Sequence, residues 1–415
     1  MNAASTLRTK INKKTAVVGV VGIGYVGDAL AEGCSKVGFK TIGFTRTPKR
    51  ADNVNKRNNP QYIATTDTTL LSECDIFCIC VPTPVHEDKR PDLRPLEEAV
   101  SLVTKYIKKG SLVIIESTIA PGTTRAVGAS LLKKEDLKEE SDYFLSFSPE
   151  RVDPGNKKYG IHNTPRVVSG LSEVSTELVT LFYRSFVETV IPVSSLEAAE
   201  MSKILENTFR LVNISLMNEL LPYAESLNVD LWEVINASSS KPYGFLPHYP
   251  GPGIGGHCIP VDPYYLIADA RSRNISLGIV ERAGYVNEEQ PQKVVNRTLD
   301  IIHKTNGKKL NHSALLIGLA YKQDIEDRRE SPSLRIWELL EKEHVDVSYH
   351  DPYIPALNTK ESLPISKNSI NDKDIIIIAT PHSSVDYPGL LLYKKPILDT
   401  RNVLKGYSSP YIYRI

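Results

Sequence analysis

Cysteine is scarce in this sequence of 415 residues: only Cys34, Cys74, Cys78, Cys80 and Cys258 occur. An odd count without framework spacing excludes a disulfide scaffold and points to reduced thiols in a cytoplasmic setting. A metal site is equally unsupported. Cys78 and Cys80 sit inside the apolar run Ile76 to Val81, no histidine cluster completes a ligand set, and His257-Cys258 alone gives no paired spacing. Excess charge is also missing. A formal net charge of +1 gives no pull on nucleic acid or on an anionic membrane surface. No apolar run is long enough to span a bilayer, so no membrane partner is expected. Met1 to Lys14 is polar and basic without the apolar centre of a signal peptide, and it reads as a short tail. Short-period repeats and low-complexity segments are absent. What is present, 41% hydrophobic and 24% charged residues, is ordinary for a globular chain, and the length suggests two or three domains.

The apolar patterning alternates. Ala16 to Val21 reads as a strand, followed by a glycine turn and a helix over Asp28 to Val37. Lys40 to Phe44, Ile76 to Val81 and Leu112 to Glu116 read as further strands, which implies a parallel sheet covered on both faces. From Ser195 to Asn228 apolar residues recur at helical spacing, with no proline before Pro222. This reads as one long helix buried on more than one side. Leu231 to Ala237 stays helical, Lys241 to Pro263 is too rich in Pro and Gly for either element, and Val280 to Val295 looks helical with a break near Pro291. A second alternating pattern follows, with strands at Ala314 to Leu319, Val345 to Tyr349, Asp374 to Ala379 and Pro396 to Leu398. The helix Ser333 to Glu343 between them is introduced by Ser331-Pro332. The expected fold is α/β, two doubly wound parallel-sheet domains of Rossmann type joined by a central helical segment. The expected boundaries are 1–194, 195–300 and 301–415.

Two motifs carry chemistry. Gly22-Ile-Gly24-Tyr-Val-Gly27 lies at a strand-to-helix turn. There the first glycine permits the turn, the second lets backbone approach a pyrophosphate, and the third lets helix pack on strand. The pyrophosphate would meet the helix N–H groups, and the alternative is a tight turn that binds nothing. Far downstream, Gly251-Pro-Gly-Ile-Gly-Gly-His-Cys-Ile-Pro-Val-Asp262 sets Cys258 after a run of glycines and four residues before Asp262. A thiolate there can attack a carbonyl carbon; the bland reading is a small buried residue, which suits the other four cysteines. Lys203 and Asn207 lie four apart on the long helix, on one face. A cation and an amide aimed at one point stabilise an oxyanion; alone they would read as a solvated lysine and a capping asparagine.

Taken together, the motifs resemble the nucleotide-sugar 6-dehydrogenases, the UDP-glucose/GDP-mannose dehydrogenase family, over almost the whole chain. The similar pieces are Gly22 to Gly27, Val81-Pro-Thr-Pro84, Glu116-Ser-Thr-Ile-Ala-Pro-Gly-Thr-Thr124, Ser148-Pro-Glu-Arg151 and Ala199 to Asn207. Further along they are Gly255 to Pro263, Gly318-Leu-Ala-Tyr-Lys322, Asp327 to Ser331 and Asp399-Thr-Arg-Asn402. The resemblance implies a nicotinamide cofactor on the first domain, a dimer interface on the helical segment and the nucleotide end of a UDP-sugar on the last domain. It implies oxidation of a sugar C6 alcohol to a carboxylate by two hydride transfers through a thioester on Cys258. Position by position, it implies that Lys203 and Asn207 hold the oxyanion, Asp262 and Thr118 position water, and Glu150 serves in acid–base work on hydrolysis. Gly22, Gly24, Tyr25, Val26, Gly27, Thr45, Arg46, Arg50, Thr83 and Arg329 are the implied cofactor contacts. Arg151, Tyr249, Gly253, Gly255, Lys322 and Arg401 are the implied substrate contacts.

The loop Lys241 to Gly253 and the His257 before the cysteine resemble the UDP-N-acetylglucosamine branch more than the UDP-glucose branch, with the N-acetylmannosamine enzymes left open. NAD is the cofactor by resemblance. Yet the strand ending at Phe44 is followed by Thr45-Arg46-Thr47 where relatives carry an aspartate for the adenosine ribose, which suggests NADP. A β-hydroxyacid dehydrogenase or a non-catalytic sugar-nucleotide-binding protein are the rival readings. The first has no need of Cys258 or a third domain, and the second would not need to keep Cys258, Lys203 and Glu150 together.

Overall fold

The computed structural model describes residues 2–86, 88–152, 156, 158–307 and 311–415. The chain forms two compact units, Met1–Glu206 with Tyr264–Ile275, and Asn207–Pro263 with Ser276–Ile415.

Among the described residues, the first unit holds an eight-stranded sheet. Its strands are β1 (Val18–Val21), β2 (Thr41–Phe44), β3 (Tyr62–Thr65), β4 (Ile76–Ile79), β5 (Ser111–Ile115), β6 (Tyr143–Phe147), β7 (Arg166–Gly170) and β8 (Val190–Pro192), in the order β3-β2-β1-β4-β5-β6-β7-β8. The first six pair in parallel, whereas β7 runs antiparallel to β6. Strand order reverses between β1 and β4, the place where such sheets bind ligands at their carboxyl ends. The central strands β1, β2, β4, β5 and β6 are buried on both faces, as a covered parallel sheet requires. One face packs on α1 (Ala3–Asn12), α2 (Tyr25–Lys36), α3 (Pro48–Asn55) and α6 (Glu173–Arg184). The other face packs on α4 (Arg94–Thr104), on α5 (Ser130–Lys134), which follows a π-helical turn, and on the start of α7 (Leu196–Ser226).

The second unit receives the rest of α7, then α8 (Leu231–Ser239) and α10 (Gly278–Asn306), while α9 (Asp262–Ser272) begins at its edge. Its sheet joins β9 (His312–Ile317), β10 (Val345–His350), β13 (Ile375–Ile378), β14 (Ile397–Asp399) and β15 (Ile412–Arg414) in the order β10-β9-β13-β14-β15, all parallel. A small hairpin of β11 (Ala356–Leu357) and β12 (Lys360–Glu361) stands apart. Helices α10 and α11 (Pro332–Lys342) cover one face of the sheet, and α12 (Lys367–Ile370) and Tyr387 to Leu390 cover the other.

Three expectations are corrected. The N-terminal stretch is not a tail: from residue 2 onward it is described, and α1 places Ala4, Leu7 and Ile11 in the first core while Asn2 caps the amide of Ser5. Apolar residues at positions 4, 7 and 11 make a helical stripe that the polar average hides. Nor does α10 break at Pro291. Val286, Gln290, Val294 and Ile301 keep a buried stripe on both sides of it, and that packing outweighs one lost backbone hydrogen bond. Finally, where burial of α7 on more than one side is expected, Phe209, Leu216 and Tyr223 leave one face of its second half uncovered among the described residues.

Candidate active site

The glycine turn between β1 and α2 shows three different demands. Gly22 has φ +97°, and a Cβ there would lie 2.7 Å from the carbonyl oxygen of Cys80. A Cβ on Gly27 would lie 2.2 Å from the carbonyl oxygen of Gly22. Gly24, the residue that caps α2, has nothing within 4 Å of its would-be Cβ. The two outer glycines are therefore needed by the protein, and the middle one leaves open space against bare backbone. Those features fit a dinucleotide pyrophosphate. Tyr25, exposed, and Val26, half-buried, fill the first turn of α2.

Arg50 serves this turn. Its Nε donates to the Ile23 carbonyl at 2.9 Å, and its Nη2 donates to Asp28 at 2.8 Å. Asp28, 8% exposed, also accepts from Arg57 and from the hydroxyl of Tyr62. Asp28, Arg57 and Tyr62 escaped the sequence reading; the signal was a carboxylate on the sheet-facing side of α2. At the end of β2, the Thr45 hydroxyl accepts from the Thr47 amide, and Arg46 reaches Glu98 at 3.1 Å in an exposed pair. No carboxylate occupies the position after Phe44. The Thr83 hydroxyl donates to the Thr118 carbonyl at 2.7 Å, and the Thr83 carbonyl accepts from Tyr265 of α9 at 2.6 Å.

At the carboxyl ends of β5 and β6 lies Glu150, 9% exposed. One carboxylate oxygen accepts from the amides of Arg151 and Val152, and the other accepts from Arg166 at 3.1 Å. The Arg151 side chain is spent on the Pro165 carbonyl and Glu206. Lys203, one turn before Asn207 in α7, is half-buried and forms no ion pair among the described residues.

The second unit gathers the cysteine loop. The Cys258 carbonyl accepts from the Asp262 amide at 2.8 Å, so the loop runs straight into the first turn of α9. Asp262, 3% exposed, accepts at 2.5 Å from the side-chain amide of Asn207. Gly255 and Gly256 are packed against Tyr321 and the Glu330 backbone, with Cβ distances of 2.7 Å waiting at both, and the Gly256 amide donates to the Arg329 carbonyl at 3.1 Å. Gly253 has φ +123°. Only glycine tolerates such an approach and conformation. The Arg329 guanidinium grips Asp327 at 2.6 Å with Cys258 and Tyr321 in its field. Burial opposes charge on Asp327, but the Arg329 hydrogen bonds prevail and hold its carboxyl below the usual range. A cation beside a cysteine favours its thiolate. By contrast, burial pushes Cys74 up to about 12 and raises Cys78 and Cys80 well above the ordinary thiol range, which leaves them inert packing groups.

Arg401 lies in the same unit. Its Nε donates to the Ala379 carbonyl at 2.8 Å, and its guanidinium would sit 2.6 Å from a Cβ on Gly251. Burial pulls its pKa down to about 10, and the Asp399 carboxylate beside it accepts from the Arg401 backbone amide at 3.0 Å. A half-buried guanidinium of this kind is suited to an anionic ligand. Half-buried Lys322 follows Tyr321 in the same loop. Tyr249 stacks on Trp232 at 5.0 Å, and its hydroxyl is committed to Asn236.

Comparison with known proteins agrees with these two halves. The UDP-glucose/GDP-mannose dehydrogenase family matches through its NAD binding domain over residues 48–187, its central domain over 197–289 and its UDP binding domain over 315–406. The NAD binding domain of D-isomer specific 2-hydroxyacid dehydrogenases matches residues 3–90, which include the glycine turn. A UDP-N-acetyl-D-mannosamine dehydrogenase of Pyrococcus horikoshii is 33% identical over 96% of this chain and 98% of its own. A UDP-N-acetyl-D-glucosamine 6-dehydrogenase of Pseudomonas aeruginosa is 32% identical over 89% of this chain and 91% of its own. Among solved structures, the Pyrococcus horikoshii enzyme superposes with a TM-score of 0.86 at 30% identity, covering 96% of this chain and 99% of that one. The chain therefore belongs to the UDP-glucose/GDP-mannose dehydrogenase family and is a UDP-sugar dehydrogenase that uses an NAD-type cofactor.

Proposed function

We propose that the protein oxidises the C6 alcohol of a UDP-N-acetylhexosamine to the uronic acid, in two oxidations that share a covalent intermediate on Cys258. The observation that carries this reading is Cys258 itself, held by a glycine turn that tolerates no other residue and within the electrostatic field of Arg329. A nicotinamide held at the glycine turn would accept the first hydride, and a second oxidised nicotinamide, after exchange, would accept the second. The glycine turn, with Tyr25 and Val26, holds the pyrophosphate, and Thr83 and Arg329 are further cofactor contacts. The Cys258 thiolate adds to the C6 aldehyde, and loss of the second hydride leaves a thioester. Water then attacks, the C–S bond breaks and the carboxylate departs. Lys203 and Asn207 stabilise the oxyanion, Asp262 and Thr118 orient water, and Glu150 takes its proton. Arg401 and Lys322 bind the nucleotide end of the substrate, with Arg151, Tyr249, Gly253 and Gly255 lining the rest.

The N-acetylhexosamine assignment rests on the Lys241 to Gly253 loop and is supported by relatives that carry both the N-acetylglucosamine and the N-acetylmannosamine name. Initial rates on UDP-N-acetylglucosamine, UDP-N-acetylmannosamine, UDP-N-acetylgalactosamine and UDP-glucose test it. One of the first two should give the highest kcat/KM, and a roughly ten-fold preference for UDP-glucose, about 1.4 kcal/mol, would overturn it. For the cofactor, the missing acid after Phe44 and the weakly held Arg46 support acceptance of NADP besides NAD. The exposed face of α7, with Phe209, Leu216 and Tyr223, supports a homodimer formed through the helical segment.

A further inference from the structure

Because β7 runs against β6, its first residue reaches the carboxyl ends of β5 and β6, the edge where catalytic groups of such sheets gather. That residue is Arg166, 3% exposed. Two carboxylates share its one guanidinium. Nη1 donates to Glu150 at 3.1 Å, Nη2 donates to Glu116, and Nε donates to the Ser148 hydroxyl at 2.9 Å. Glu116, 2% exposed, accepts a second hydrogen bond from the Tyr183 hydroxyl at 2.6 Å. The Arg166 guanidinium lies 4.4 Å from the centre of the Tyr183 ring. Among the described residues, the thiols of Cys78 and Cys80 from the β4 end and Cys34 from α2 also lie in the field of Glu116, and burial pushes all three thiols up and keeps them neutral. A structural ion pair needs one carboxylate, and this cluster has two. With both ionised it would hold an uncompensated negative charge inside the protein, which is costly and is relieved by taking up a proton.

We propose that Glu116 and Arg166 are positioning residues that set the basicity of Glu150, the two carboxylates competing for one guanidinium. This rests on the reading of Glu150 as the base of the hydrolytic step. In that step a proton passes from water to Glu150, the C–O bond forms, the C–S bond breaks and the Cys258 thiolate leaves. A carboxylate that owns an arginine outright is a weak base. Sharing the arginine with Glu116 strengthens Glu150. Burial, opposed by Arg166, raises the Glu116 carboxyl to about 7, in the range where the protein must exchange protons.

The test is the acid limb of the kcat–pH profile from roughly pH 5 to 9, with intact-protein mass spectrometry for accumulated acyl-enzyme. Glu116→Gln leaves Arg166 to Glu150 alone, so the limb should move down by about one unit and acyl-enzyme should accumulate. Tyr183→Phe, a gentler change, weakens the ionised form of Glu116 and should move the limb the same way. Arg166→Met removes the cation and should move it up, with Arg166→Lys returning it part of the way. Lower kcat with an unmoved limb in all of these, or movement in one direction throughout, would reduce the cluster to packing and overturn the proposal. Glu150→Gln separates the two claims. If it abolishes the limb while Glu116→Gln and Tyr183→Phe leave the limb in place, the base assignment stands and this proposal falls. If Glu150→Gln retains both limb and hydrolysis, both fall.

Discussion

A single methyl group added at Gly27 or at Gly24 should have opposite consequences. At Gly27 the new Cβ would lie 2.2 Å from the Gly22 carbonyl oxygen and 3.1 Å from Val20 Cγ1. An ordinary C···O contact needs about 3.3 Å, so α2 must retreat from β1 by roughly 1 Å. Both obstacles belong to the sheet core and its backbone, which places the cost near the top of the overpacking range, about 3 kcal/mol. Alanine returns up to about 1 kcal/mol of helix propensity. The net loss of about 2 kcal/mol corresponds to a fall in Tm of roughly 4–8 °C for a unit of this size. At Gly24 the methyl meets nothing within 4 Å and the backbone φ of −73° suits alanine. Stability should change by less than about 0.5 kcal/mol, the entropy lost by the unfolded chain offsetting alanine's weaker N-cap preference. Yet that methyl occupies the space where backbone meets pyrophosphate, and NADH affinity should fall at least about ten-fold, or 1.4 kcal/mol. Urea denaturation and NADH fluorescence titration of both variants read these quantities. Wild-type NADH affinity in Gly24→Ala would refute the cradle, and a stability change under about 0.5 kcal/mol in Gly27→Ala would refute the close approach.

Three further outcomes are expected. Thr45→Asp restores the ribose acceptor and should lower the NADP/NAD ratio of kcat/KM at least about ten-fold; an unchanged ratio removes Thr45 and Arg46 from cofactor selection. Glu200, fully buried and accepting the Gly122 and Thr124 amides, is raised to about 7, mainly by burial. A carboxyl raised in the folded state binds a proton that the unfolded chain has already lost. Stability should therefore decline as pH climbs from roughly 4.5 to 7, by on the order of 1 kcal/mol per pH unit from this group, and urea midpoints of Glu200→Gln should show a shallower slope. Leu216→Glu places a charge on the exposed face of α7, and light scattering should then find monomer where the wild type is a dimer; a monomeric wild type would end the interface assignment.

The fold was legible where structure is local. Valine- and isoleucine-rich runs separated by helical stretches mark a covered parallel sheet, and the glycine turn marks the junction of β1 and α2. Sequence failed where tertiary packing overrides propensity. Pro291 ends an isolated helix, but in α10 neighbours flank it with a buried stripe. The α1 stripe is three residues in a polar stretch. The antiparallel turn of β7 has no local signal at all. The site follows the same rule. The Gly255-Gly256 turn and Cys258 announce themselves within a dozen residues, whereas the Glu116 partners lie 50 and 67 positions away and emerge only when β5, β7 and α6 assemble. Asp28 likewise looks like a misplaced charge on a buried helix face until Arg50, Arg57 and Tyr62 converge on it.

The central claim is a four-electron oxidation that passes through Cys258, and the stoichiometry of reduced cofactor to sugar tests it most directly. With limiting UDP-N-acetylhexosamine, the wild type should yield two equivalents of reduced cofactor per uronic acid with no released aldehyde, and Cys258→Ser should bind both ligands yet make almost no acid. One equivalent with free aldehyde from the wild type, or near wild-type acid production from Cys258→Ser, would contradict the account.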